Sequence, residues 1–185
     1  MMMERIRREH SYMVRLLSIL RHKLDLVKSE QPINYSLLKE IVDYLASHSE
    51  KVHHPKEDIL YRHYMAHYGD EQQVANLERE HQELAQITHQ FLDVMEMIMI
   101  LNDAVVPQDV FIEQLEAFLQ GQKQHLELEE QSILPLINQT FELEDWQNVE
   151  SQWQNNDDDP VFGETIAERY ALLARRVRKS ESEYT

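Results

Sequence analysis

Two stretches of the chain place a histidine four residues ahead of a glutamate: His53-His54-Pro55-Lys56-Glu57 and His125-Leu126-Glu127-Leu128-Glu129. On a helix that spacing stacks imidazole and carboxylate on one face. Such a pair can serve as metal ligands if its face is buried, and is a solvated pair if it is not. Helical-wheel arithmetic separates the two cases. Around the stripe of Phe111, Leu115, Leu119, Ile133 and Ile137, Glu129 lies about 40° from the apolar axis and His125 about 80°, while Glu127 falls outside. Around Leu38, Ile41, Leu45, Val52 and Ile59, His53 lies about 90° away and His54 nearly opposite, which sends His54 and Asp58 to solvent. His10 and His81 lie within about 50° of their stripes, whereas His22 and His89 face away.

Height along the helices gives an independent test. His10 stands 22 residues before Pro32 and His53 stands 21 after it. About Ala104 the corresponding offsets are 23 for His81 and 21 for His125, and about Gly69 they are 12 for both Glu57 and His81. If the helices alternate in direction, His10, His53, Glu57, His81, His125 and Glu129 meet at one level. Buried carboxylates and imidazoles without partners cost several kcal/mol each. A pair of divalent cations satisfies all six, with two imidazoles to each ion and both carboxylates bridging. The chain has no Cys and 10 His, so only nitrogen and oxygen donors are on offer, which favours iron or manganese over zinc. A polar core network or a set of surface histidines is the plainer alternative.

The elements that must position these residues are helices. Only 3 Gly and 5 Pro in 185 residues leave too little turn chemistry for a many-stranded sandwich or barrel. Apolar periodicity predicts helices over about 3–29, 34–67, 71–101 and 108–137, joined by short breaks at Gln31-Pro32, Gly69-Asp70 and Asn102 to Pro107, with Pro135 kinking or ending the fourth. Short connections make sequential helices antiparallel, so the expected fold is all-α, an up-down-up-down four-helix bundle over residues 1–138. Residues 139–185 read as a helical extension: a short helix over 143–154 with Trp146 and Trp153, a turn-rich loop over 155–160, a helix over 163–178 and a disordered end. The two tryptophans are expected to cover one end of the bundle, with a homodimer interface as the alternative. Met95, Met97 and Met99 are expected in the core, His63 and His67 at an exposed helix end, and Tyr12, Tyr44 or Tyr61 as hydrogen-bond partners around the site.

The net charge of -16 disfavours nucleic acid and anionic membranes as partners. The N-terminus is charged, without an apolar signal segment, and no run spans a bilayer, so a cytoplasmic location is expected. A ferritin-like site needs Glu-x-x-His on two helices. Glu50-His53 and Glu78-His81 have that spacing, but Glu50 falls on the wrong face, Gln122 precedes His125 and His10 replaces a glutamate.

The His-His-Pro-Lys-Glu-Asp run at 53–58, the segment from His125 to Pro135, and the Glu9-His10 and Glu80-His81 dipeptides resemble the signature stretches of the hemerythrin-like, or HHE cation-binding, family. The resemblance covers about residues 4–137. It implies a four-helix bundle with a non-haem di-iron centre, His10, His53, His81 and His125 as terminal ligands, and Glu57 and Glu129 as bridges. Oxygen-carrying hemerythrins have a further His four residues after the third-helix ligand and an Asp five after the fourth-helix His. Here Ala85 and Glu130 stand there, with Glu129 one residue earlier. The set is more similar to the four-His, two-Glu subgroup that includes di-iron proteins implicated in iron–sulfur cluster repair, though this chain lacks their cysteine-containing N-terminal domain. The functions implied are binding, sensing or reduction of O2, NO or peroxide at two iron ions, or labile iron donation, storage or stress repair without turnover. A purely structural bundle is the remaining alternative.

Overall fold

A computed structural model describes residues 1–69, 72–101, 107–153, 159–163 and 170–182; its described residues contain helices and no strand. The expected breaks at Asp70 and 102–106, and most of the loop expected over 155–160, lie outside them. Four rods form the bundle. The first is α1 (Met2–Lys28). The second joins α2 (Tyr35–His48), a π-helical turn (Ser49–His53) and α3 (His54–Tyr68). The third is α4 (Gln72–Leu101), and the fourth joins α5 (Gln108–Leu128), a second π turn (Glu129–Ile133) and α6 (Leu134–Thr140). α1 packs on α5, α5 on α4, α4 on both halves of the second rod, and α2 back on α1, closing the bundle. No helix among the described residues is long and apolar enough to cross a membrane.

The rods begin and end where local chemistry requires. Asn34 caps α2 by accepting from the Leu37 N–H at 3.1 Å. Gly69 closes α3 at φ 112°, a conformation that disfavours a Cβ. Neither internal proline ends its rod. Pro55 and Pro135 each follow a π turn by two residues, in the first turn of α3 and α6. A proline ring clashes with the carbonyl four residues back and offers it no N–H, so the chain widens by one residue before it. The His54 N–H accordingly reaches the Ser49 carbonyl, and the Leu134 N–H that of Glu129, five residues away.

The core falls into two apolar clusters. One holds Leu16, Leu20, Leu38, Ile41, Phe91, Phe111 and Phe118; the other holds Ile6, Leu60, Tyr61, Leu77, Ile133 and Ile137. Between them each rod buries polar side chains: Glu9 and His10 on the first, His53, His54, Lys56 and Glu57 on the second, His81 on the third, His125 and Glu129 on the fourth. This layer is where the candidate site lies.

The extension is packed onto the bundle. Val149 of α7 (Leu143–Gln152) is fully buried, and Trp146 and Trp153 pack against the second cluster. Val161 and, from α8 (Ala171–Ser182), Leu173, Ala174 and Val177 join the first cluster. α8 runs past the expected end at 178, to Ser182; residues 164–169, within the expected helix, lie outside those described. Ser180, Glu181 and Ser182, expected in a disordered end, are helical, and Arg15 holds Glu181 at 2.7 Å. Met95 is buried, but Met97 and Met99 are largely exposed, contrary to the expectation that all three fill the core.

Candidate metal centre

The six expected residues come together. His10, His53, Glu57, His81, His125 and Glu129 are all buried, and the two glutamates are fully so. Glu57 turns Oε1 to His10 Nε2 at 2.8 Å and His53 Nε2 at 3.0 Å, and Oε2 to His81 Nε2 at 3.4 Å. Glu129 spans the layer the other way: Oε1 lies 3.1 Å from His125 Nε2 and 3.5 Å from His81 Nε2, and Oε2 lies 3.4 Å from His10 Nε2. Each carboxylate thus faces both sides of the layer, as a bridging group must.

His54 departs from the sequence expectation. It is buried rather than turned to solvent, its ring stacked on His81 at 4.0 Å between centroids. The wheel failed because it assumed 100° per residue through a π turn. Counting from Leu45, an unbroken helix buries Val52 and Ile59; after the extra residue, the buried positions become His53, His54, Lys56, Glu57, Leu60 and Tyr61, while Val52 and Ile59 are only half-buried. Nitrogen and oxygen atoms of His54, Glu57, His81 and His125 lie within 4.8 Å of one another, and so do those of His10, His53 and Glu57. Glu57 belongs to both groups. One half of the layer has three imidazoles and the other two. Sequence reasoning left Glu127 and His89 at the surface, and both are exposed.

The outer nitrogens are held as well. Nδ1 of His10 lies 2.6 Å from Glu130, that of His53 2.7 Å from Glu9, that of His81 2.9 Å from Asp58 and that of His125 3.3 Å from Glu80. An imidazole donating from Nδ1 presents Nε2 as its lone pair, which fixes the ligand atom. Glu9 is itself anchored by the fully buried Lys56 at 2.5 Å and by Arg5 at 3.4 Å. Tyr61 donates to Glu129 Oε1 at 2.5 Å, and burial with the adjacent Glu129 pushes its hydroxyl well above the ordinary range, so it stays a donor. Of the other tyrosines considered, Tyr44 donates to Asp159 and Tyr12 stacks on Phe162. His63 is no exposed helix-end histidine: it is buried and pairs with Asp145 of α7 at 2.7 Å, while His67 is exposed.

Electrostatics test whether a cation fits. Burial works to raise Glu57 and Glu129, yet both are held well below the ordinary carboxylate range: Glu57 by His53, His10 and His81, and Glu129, despite Glu57, by His125 and His81. Burial likewise opposes protonation of His10 and His81, but the surrounding carboxylates push them up to about 10 and about 12. The layer demands positive charge, which imidazole protons supply when no metal does. His54 is pushed well below its ordinary value by burial and by His81, so it offers a neutral imidazole. Glu57 Oε2, His81 Nε2, His125 Nε2 and Glu129 Oε2 are buried without a hydrogen-bond partner. Three of these residues, Glu57, His81 and His125, belong with His54 to the first of the two groups, a donor set that fits a cation.

Two cavities adjoin the layer. One of about 400 Å³ touches Glu9, and another of about 340 Å³ touches Glu80 and His125; neither is lined by Glu57 or Glu129. The profile of the hemerythrin HHE cation-binding domain matches residues 1–137. No curated protein and no solved structure matches the chain. With the whole histidine–carboxylate layer inside the matched span, the chain belongs to the hemerythrin HHE cation-binding family.

Proposed function

We propose that the chain is a non-haem di-iron protein that binds, senses or reduces a small ligand: O2, NO or hydrogen peroxide. The observation that carries this is the unequal donor set, with His54, His81 and His125 on one side of Glu57 and His10 and His53 on the other. Ala85 removes the extra histidine of the oxygen carriers from the third helix, and His54 offers a third imidazole from the second. The proposed ligands are therefore the six expected residues together with His54. Bound iron supplies Lewis acidity, accessible redox states and open coordination positions. The half with two imidazoles has fewer protein donors, so an exogenous ligand is expected there. The cavities that touch Glu9 and His125 are not lined by Glu57 or Glu129, which favours a ligand of two or three atoms over a bulky substrate.

The test is anaerobic loading with iron followed by O2, NO and hydrogen peroxide in turn, with the visible spectrum recorded. Charge-transfer bands with at least one of them are expected; no optical change with any would refute the reading. The second reading is a labile iron donor or storage protein whose extension responds to the metal. It is favoured by the contacts of Val161, Leu173 and Val177 with the core. It is abandoned if a chain ending at Asn138 holds and releases iron at the full-length rate.

A further inference from the structure

Each acid that holds an Nδ1 adjoins a proposed ligand in sequence, yet bonds the histidine of the next rod. Glu9 precedes His10 but bonds His53; Asp58 follows Glu57 but bonds His81; Glu80 precedes His81 but bonds His125; Glu130 follows Glu129 but bonds His10. The pattern closes on itself: first rod to second, second to third, third to fourth, fourth to first. Helix geometry explains why. On the first and third rods the acid lies one residue before a ligand, and on the second and fourth one residue after. Because the rods alternate in direction, all four steps run toward the same end of the bundle. A right-handed helix turns in one sense along a fixed direction whichever way its chain runs, by about 100° per residue. All four acids therefore swing off the inward face in the same rotational sense, each onto its neighbour.

We propose that Glu9, Asp58, Glu80 and Glu130 form a closed ring of positioning residues, each holding the Nε2 of the next rod's histidine toward the metal layer and so controlling metal retention in that histidine's half. Glu9 and Glu130 serve the two-imidazole half, Asp58 and Glu80 the three-imidazole half. His54 stands outside the ring: among the described residues only ring contacts hold it. The ring's effect on metal rests on the two-cation reading above, whereas its effect on ring orientation does not.

The test uses full-length Glu9→Gln, Glu130→Gln, Asp58→Asn and Glu80→Gln, with Glu127→Gln, an exposed acid outside the ring, as control. In the metal-free protein, imidazole 15N shifts assigned by residue should move for the histidine on the next rod, not for the one beside the acid in sequence: Glu9→Gln moves His53 and spares His10, and Glu80→Gln moves His125 and spares His81. Co2+ titration followed by its visible bands should give two equivalents for the wild type and the control. Each ring variant should lose about 10–100-fold in affinity for one equivalent and keep the other. Circular dichroism at 222 nm confirms that each variant is folded; an unfolded one is replaced by Glu9→Asp or its equivalent. Wild-type chain that takes up fewer than two equivalents overturns the two-cation reading while the 15N shifts still judge the ring. Two equivalents bound with wild-type affinity by all ring variants, or 15N shifts confined to the sequence neighbour, overturn the ring.

Discussion

Replacing Lys56 by Met should destabilise the metal-free protein although Lys56 touches no proposed ligand. Its side chain is fully buried, and Nζ lies 2.5 Å from Glu9 Oε1 and 5.4 Å from the centre of the Trp153 ring. Burial works to raise the Glu9 carboxyl, but His53 and Lys56 bring it down to about 2, so Glu9 is charged in the folded state. Removing one partner of a buried ion pair costs about 3–5 kcal/mol, because the remaining charge is left without compensation. Glu9 keeps His53 at 2.7 Å and Arg5 at 3.4 Å, which places the cost near the lower end, about 3 kcal/mol. For a chain of this length that corresponds to about 6–12 °C in Tm. Adding Glu9→Gln removes the stranded charge, so the double variant should regain most of the loss, as replaced buried pairs often do. Thermal and urea unfolding of the apo-protein, followed by circular dichroism, closes the double-mutant cycle. A cost below about 1 kcal/mol for Lys56→Met, or strictly additive effects, would refute the reasoning.

His54→Ala should weaken metal binding in the three-imidazole half, and His89→Ala, at an exposed position, should leave it intact; equal metal content in both by elemental analysis would return His54 to a packing role. Tyr61→Phe removes the donor to Glu129 while keeping the ring, and should cost about 1–3 kcal/mol of apo-protein stability in urea unfolding, with no measurable cost counting against that hydrogen bond. The Asp145 carboxyl is held down to about 2 by hydrogen bonds from His63, Tyr68 and the Glu142 N–H. A depressed carboxyl contributes stability above its ordinary 3.8 and loses it as pH falls through about 2. Docking of α7, reported by tryptophan fluorescence, should therefore loosen over that interval, and Asp145→Asn should abolish this acid step.

Much of the fold was legible because long apolar periodicities and short breaks specify antiparallel rods. Face combined with height singles out six residues, and the structure brings them into one buried layer. What the sequence concealed follows from the π turns. Periodicity reads the second rod as unbroken through Pro55, so the residue added ahead of that proline had no place without the backbone, and His54 was misplaced by it. The ring acids were equally hidden. Glu9-His10 and Glu80-His81 are visible as repeated dipeptides, yet each acid serves a histidine 44 or 45 residues away. Lys56 gave no signal at all, since a lysine beside a proline ordinarily reads as solvated. The extension of α8 to Ser182 and the exposure of Met97 and Met99 depend on how the rods end and how the extension returns, which periodicity does not encode.

The central claim is that the buried layer holds two iron ions. Elemental analysis of the purified full-length protein after anaerobic loading measures this directly, with His53→Ala and Glu129→Ala in parallel. Two iron equivalents per chain in the wild type, reduced in both variants, are predicted. No bound metal in the wild type, or iron content unchanged in the variants, would contradict the account and leave the layer a hydrogen-bonded polar core.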